Sequence, residues 1–337
     1  MATFKIFKLH FTAPFHISDP SADSSVSLKT VHSDTMYSAL MSCLAKTGHD
    51  IPANGDLGFT LSSLFPFYQK DEQSAAVYFL PMPLQTRIPD LKDVSKAKKV
   101  KKVKWVESEQ YGTVLSGEHL FDGDSGHMAE INGEYLTSHN VPHDFVRSEL
   151  SQRVKIESRT GEKDALPYYV DRITFTDRSG FYFLAEGDVE LLEKALQILS
   201  MEGLGTDRNV GFGFFDYDTD TLQIDTPITS SFVVSLSLFF PESETQLTSL
   251  LDSECVAYDF IRRGGWITTY PYHHFRKNVL YGFLPGSVFR LDDANEYQQI
   301  GKICDVSPAL EGVAKLDHKI WRCGRALTLP IKLDDRL

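Results

Sequence analysis

GLGTDRNVGFGFF (residues 203–215) sets four glycines, an arginine and an asparagine between a helical pattern and a strand pattern. Before it, DVELLEKALQILSM (188–201) repeats leucine, isoleucine and alanine every three to four residues behind Asp188, a good N-cap, and predicts a helix. After it, VGFGFFDYD (210–218) is aromatic and predicts a strand. This order is the reverse of the dinucleotide fingerprint and of the P-loop, where a strand leads into glycines and a helix N-terminus receives the phosphate. Arg208 also stands where the third glycine of the dinucleotide motif belongs, and no Gly-Lys-Ser/Thr follows. Two readings remain. In one, Gly203 or Gly205 merely ends the helix in the left-handed region. In the other, backbone N–H groups around Gly203, Gly205, Gly211 and Gly213, with Arg208 and Asn209, hold a polyanion. The cap accounts for the first glycines, whereas Gly211 and Gly213 fall in a strand pattern, where glycine marks the close approach of a backbone or ligand.

Outward from this loop, the pattern predicts a strand at 3–11, a helix at about 34–46, strands near 59–65 and 76–81, and an insertion rich in charge and glycine over about 85–150. Strands near 168–176 and 180–186 then precede the 188–201 helix and the 210–218 strand. Without the insertion this is strand-helix-strand-strand-helix-strand, a ferredoxin-like (RRM-like) order. DTDTLQIDTP (218–227) reads as a polar linker. SFVVSLSLFF (231–240) then begins a second, strand-rich half with a helix at ETQLTSLLDS (244–253), strands near 256–262, 279–283 and 287–291, and a closing RALTLPIKL (325–333). The expected class is α+β, with two ferredoxin-like domains in tandem, residues 1–222 and 223–337. The first carries the insertion and the second is degraded, its second helix not being evident.

A chain of 337 residues, 42% hydrophobic and 24% charged, suffices for two domains with their own cores. No apolar run approaches a bilayer span, and MATFKIFKLHF (1–11) alternates like a strand, so a cytoplasmic protein without membrane contact is expected. Cys43, Cys255, Cys304 and Cys323 are scattered without zinc spacing, which predicts reduced thiols, no metal and no cofactor.

The net charge of −12 argues against a freestanding nucleic-acid binder, whose affinity comes from neutralising phosphates. Its distribution argues for basic faces on an acidic body. Residues 260–291 hold no carboxylate but carry Arg262, Arg263, Arg276, Lys277 and Arg290. SKAKKVKKVKW (95–105) carries six lysines, on an RNA face or on a solvated loop. RVKIESRTG (153–161) alternates Arg153, Lys155, Glu157 and Arg159, as a solvated edge or as a basic rail. In LKTVHSDTMYSALMSCLAK (28–46), Ser33 or Asp34 suits an N-cap, and His32 beside a helix N-terminus suits a phosphate contact. His273 and His274 are adjacent and point apart on a strand, so they make no metal pair.

HSDTMYSAL (32–40), the glycine loop, RRGGW (262–266) and LPGSVFRL (284–291) together resemble the Csm subunit 4 family of type III-A CRISPR effector complexes, the 5′-tag-binding group of the RAMP superfamily. APFHIS (13–18), RVKIESRTGEKD (153–164) and HKIWRCGRALTLPI (318–331) extend the resemblance in the same order, while the 85–150 insertion matches poorly. The resemblance implies two RAMP domains in tandem and a non-catalytic RNA-binding role in antiviral defence. The subunit caps the 5′ repeat-derived tag of crRNA, docks the large palm-domain Csm subunit and adjoins the backbone RAMP subunit, Csm subunit 3. Carried onto this chain, the RNA contacts are Gly203, Gly205, Arg208, Asn209, Gly211, Gly213 and His32, with Arg153, Lys155, Arg159, Arg262, Arg263, Arg276 and Lys277. Phe212, Phe214, Tyr270 and Tyr272 are candidates to stack bases. The alternatives are a crRNA-processing endoribonuclease of the same superfamily, with His16 or His32 as base, and the equivalent subunit of a type III-B complex.

Overall fold

The computed structural model describes residues 1–18, 25–84, 98–118, 130–156, 165–291, 299–309 and 316–333. Arg159 and Lys96 lie outside them.

Strand β1 (Ala2–Phe11) turns Phe4 and Ile6 to one side and Phe7 and Leu9 to the other, and all four are buried. A strand apolar on both faces belongs in the middle of a covered sheet. β1 accordingly pairs antiparallel with both β10 (Gly180–Gly187) and β11 (Phe215–Ile224). β10 in turn pairs with β2 (Phe59–Leu61) and β3 (Phe65–Tyr68). The order β11-β1-β10-β3, all antiparallel, is the one that a strand-helix-strand-strand-helix-strand chain produces when α1 (Ser33–Lys46) and α3 (Val189–Glu202) share one face. The expected single strand at 59–65 is broken at Ser62–Leu64, where the Ser63 amide crosses to the Leu236 carbonyl at 2.9 Å.

Beyond β3 the sheet continues through β4 (Val77–Pro81), β5 (Trp105–Glu107), β7 (Tyr135–Thr137) and β6 (Glu130–Asn132), with α2 (Ser108–Leu115) packed beside them. The described part of the expected insertion therefore extends the central sheet. From Val146 the chain leaves it as a long two-stranded arm, β8 (Val146–Ile156) and β9 (Ala165–Phe175), paired from Val146↔Phe175 to Ile156↔Ala165.

The expected strand at 210–218 begins later and runs further. Gly211 and Gly213 have φ of 91° and 77°, and Arg208–Val210 is a 3-10 turn, so the β11 ladder starts only at Phe215. It then runs through the segment read as a linker. That segment is polar because β11 is the sheet's edge. Asp218 sits 2.7 Å from Lys8 Nζ and 2.8 Å from His10 Nε2, and Asp220 accepts the Tyr78 hydroxyl at 2.7 Å.

In the second half, β12 (Phe232–Ser235) pairs antiparallel with β15 (Val288–Arg290) and β19 (Ala326–Pro330), and β16 (Gln299–Ile300) joins β19. β13 (Phe260–Arg263) and β14 (Leu280–Phe283) form one hairpin, and β17 (Ile303–Asp305) pairs with β18 (Trp321–Cys323). Among the described residues, α4 (Glu244–Leu250) is the one helix of this half.

Three cores result, one on each face of the central sheet and a third, smaller one around Val233, Phe239 and Phe289 within the second half. Phe7, Leu9, Phe181 and Phe183 pack against α1 and α3. Phe4, Ile6, Tyr182 and Leu184 pack against Val234, Leu236, Leu327 and Leu329 of the second half and against Tyr111 and Leu115 of α2. The helix-free face of the sheet, which would offer a stacking surface in an RRM-like domain, is thus filled with protein. Burial raises the thiols of Cys43 and Cys323 to about 11 and about 12, which keeps both protonated. No helix among the described residues is long and apolar enough to cross a membrane.

Candidate nucleic-acid interface

The glycine loop is a buckle. α3, capped at its start by Asp188 accepting from the Leu191 amide at 3.0 Å, ends on Gly203. The N–H groups of Gly203, Gly211 and Gly213 donate to the carbonyls of Leu199, Arg208 and Pro14 at 2.8, 3.2 and 2.9 Å. Leu204 N–H donates to Gly213 and Thr206 N–H to His16, both at 2.9 Å. A Cβ on Gly205 would fall on the His16 carbonyl, and one on Gly213 on the Leu204 carbonyl. Contrary to the expectation from sequence, the N–H groups of Gly203, Gly211 and Gly213 are spent inside the protein. These glycines let 203–213 lie directly on 14–16. What the loop offers outward is its tip, where Arg208, Asn209, Val210 and Gly211 are exposed and Arg208 stands 3.8 Å from Glu202.

The β8–β9 arm reaches this tip. Arg153 places Nη1 2.7 Å from Asp207 and its guanidinium 4.8 Å from the Phe212 ring centroid. Its charge is matched locally, so Arg153 ties arm to loop in place of the free RNA contact expected. Lys155 lies further along the same strand. Of the four aromatics proposed to stack bases, Phe212 and Tyr272 are buried, Phe214 is half-buried and Tyr270 is exposed.

The start of α1 holds a charged centre. His32 occupies the N-cap position without a side-chain cap bond, and neither Ser33 nor Asp34 caps the helix. Ser33 Oγ instead accepts the Leu238 amide at 2.9 Å. Asp34 is fully buried and accepts from Arg263 Nε and Nη2 at 2.9 and 3.0 Å and from Arg322 Nη1. Arg263 Nη2 also reaches the Thr35 hydroxyl at 2.5 Å, and Arg322 Nη2 the Gly264 carbonyl at 2.7 Å. Burial alone would raise the Asp34 pKa, but the fields of Arg263 and Arg322, the Arg263 hydrogen bond and His32 outweigh it and hold the carboxyl well below the usual range. Arg263 is therefore a structural partner of Asp34 and is closed to RNA, a second correction. Arg322, in WRC, completes the centre, and no local pattern announces its role.

Arg262 and Arg276 remain exposed, with the Arg276 guanidinium 4.6 Å from the Trp266 ring. Lys277 is half-buried beside the charged centre. Burial, then Arg322 and Arg263, lower its pKa to about 8 against the opposing pull of Asp34. The unfolded chain keeps this proton up to its ordinary value near 10.5, so stability is expected to rise with pH between about 8 and 10. Lys277→Met should flatten that rise and stabilise the chain at neutral pH, as urea titrations at several pH values would show.

The lysine run is a solvated face where it is described. Lys98, Lys99, Lys101, Lys102 and Lys104 are exposed while Val100 and Val103 are buried. Of the candidate bases, His16 is buried with Nδ1 2.8 Å from the Asp171 carbonyl and Nε2 3.2 Å from the Ser18 hydroxyl, and His32 is buried as well. Glu107, Glu109 and His139 converge, but Glu107 already accepts from Thr137 Oγ1, the Ser138 amide and His139 at 2.6–2.7 Å.

Loop and arm meet at one end of the central sheet, where the C-terminal residue of α1, Lys46, pairs with Glu202, while the charged centre lies at the opposite end of α1. β1 ends at Phe11 opposite Phe215, and 12–18 carry the chain under the glycine loop on the way to α1. Against known proteins, the family model for the CRISPR Csm4 C-terminal domain matches residues 229–331, which spans β12 to β19. A protein of Streptococcus thermophilus described as CRISPR system Cms protein Csm4 is 26% identical over 324 residues, 91% of this chain and 93% of its own length. The C-terminal part of the chain thus matches the Csm4 family. A second Csm4, from Thermococcus onnurineus, is 25% identical over 62% of this chain and 64% of its own length. The fold is shared with a solved Csm3-Csm4 subcomplex of the type III-A CRISPR-Cas interference complex, at TM-score 0.60 and 17% identity over 98% of this chain and all of that one. It is shared equally with a Csm1-Csm4 cassette in complex with cA4, at TM-score 0.56 and 18% identity over 99% of this chain and all of that one.

Proposed function

We propose that this chain is the non-catalytic RNA-binding subunit of a cytoplasmic type III-A complex that holds the 5′ repeat-derived tag of crRNA and stands between the large palm-domain subunit and Csm3. The observation that carries the reading is the exposed Arg208–Gly211 tip, braced on Pro14–His16 where β1 gives way to the segment leading to α1. The assemblies named for its structural relatives, with Csm1 and with Csm3, support the two protein partners. The order β11-β1-β10-β3 supports a first ferredoxin-like unit, and we read 223–337 as a second, degraded one. The engagement of both His16 ring nitrogens supports a role without chemistry.

The test is co-expression with the other subunits and a repeat-spacer array, followed by sequencing of the RNA that co-purifies. Arg208→Ala with Asn209→Ala removes two exposed side chains, so the complex should assemble with an unchanged melting profile and retain several-fold less crRNA. An unchanged crRNA yield would overturn the reading, as would metal-independent cutting of repeat RNA by the isolated chain that is lost in His32→Ala. Gly205→Asp is unsuitable as a probe, because its side chain would displace the His16 carbonyl and unfasten the loop.

A further inference from the structure

The glycine loop can grip a backbone but has no exposed ring: Phe212 lies buried under Arg153, and Phe214 is half-covered. Base recognition needs open aromatic faces, and the sheet that would supply them is closed by the second half. Such faces lie on the β13–β14 hairpin and the 264–279 loop that it carries. Phe260 is 57% exposed, Trp266 52%, Tyr270 83% and Tyr281 61%, whereas the largest rings of the central sheet are buried.

We propose that this hairpin is a stacking surface for single-stranded RNA, one that takes the bases while the glycine-loop tip takes the backbone; it rests on the RNA-binding reading above. Register and charge support it. Arg262 stands opposite Tyr281, with the rings of Phe260 and Tyr281 6.2 Å apart on the same hairpin. Arg276 lies 4.6 Å over the Trp266 ring, and Tyr270 is stacked at 6.1 Å with His273. Exposed rings interleaved with cations match a strand that presents flat π-faces and phosphates alternately. Residues 260–291 carry no carboxylate in a chain of net charge −12, so the local charge is reversed just where the rings are exposed. Arg263 and Arg322 anchor the hairpin to Asp34 at the start of α1, the helix whose other end pairs with Glu202 beside the glycine loop, so one helix holds both surfaces in a fixed relation. Stacking tolerates any base, so the hairpin should contribute affinity with little sequence preference.

The experiment uses the full-length chain with two fluorescein-labelled probes, a short oligoadenylate and an abasic oligomer of the same phosphate count, read by anisotropy. The oligoadenylate is expected to bind at least about fivefold more tightly than the abasic probe. Trp266→Leu with Tyr270→Ala should erase that difference and leave abasic binding unchanged; Tyr281→Ser should reduce it if the double variant fails to fold. Arg208→Ala with Asn209→Ala should weaken both probes and keep the preference for bases, which separates failure of the backbone grip from failure of the stacking surface. Equal binding of the two probes by the natural chain, no binding of either, or a preference that survives in the double variant would overturn the proposal. Surviving preference with loss of the large subunit from the complex would make the hairpin a protein-docking face instead.

Discussion

Replacing Asp34 by alanine is expected to lower the unfolding free energy by about 3–5 kcal/mol, measured as a shift of the urea midpoint at constant slope. The carboxylate is fully buried, and its loss leaves the guanidiniums of Arg263 and Arg322, both more than nine-tenths buried, facing each other with Lys277 nearby. The penalty is the desolvated positive charge left behind, more than the pair's own attraction. Asp34→Asn keeps the shape without the charge and should cost nearly as much. The triple replacement Asp34→Leu, Arg263→Met, Arg322→Met removes every charge together and should recover much of the loss. Because the folded-state pKa is depressed, this stabilisation is complete above the ordinary carboxylate value near 4 and declines only as pH falls below it. A midpoint in Asp34→Ala within about 0.5 kcal/mol of the natural chain would show that water or a rearranged side chain replaces the carboxylate. The centre joins α1 to β13 and β18, so its loss should also unseat the hairpin and blunt the base preference expected there.

The same centre shows where sequence reasoning stops. β1, α1 and α3 lie within a residue or two of where periodicity puts them, because alternation and three-to-four-residue spacing are local signals. Arg263 and Arg208 look alike in sequence, each beside glycines in a basic segment. What separates them is Asp34, 229 residues from Arg263, which takes one arginine out of solvent while the other stays at an exposed tip. The glycine loop was legible as a place of close approach, but the approaching group is the chain's own 14–16 segment and not a phosphate. DTDTLQI misled because an edge strand buries little, and its aspartates pair with Lys8, His10 and Tyr78 across the ladder, contacts that a linear reading cannot see.

The same limit governs the boundary between halves, and it gives the second large expected effect. Leu329→Ala, in the last strand of the second half, is expected to cost about 2–5 kcal/mol and to destabilise the first half equally. Leu329 is fully buried in the core that holds Phe4, Ile6, Tyr182 and Leu184 from the first half. A residue at that junction has no single domain to belong to. The halves should therefore unfold in one transition, and hydrogen exchange should report the same lowered opening free energy for amides of β1 and of β12. Residues 1–222 produced alone would expose the apolar underside of the sheet, a patch large enough to drive association, and should aggregate. Two separate transitions, or a monomeric and folded 1–222 fragment, would mean that each half closes its own core. The second face of β1 would then need another cover, which its alternation of Phe4 and Ile6 against Phe7 and Leu9 requires whatever the partner.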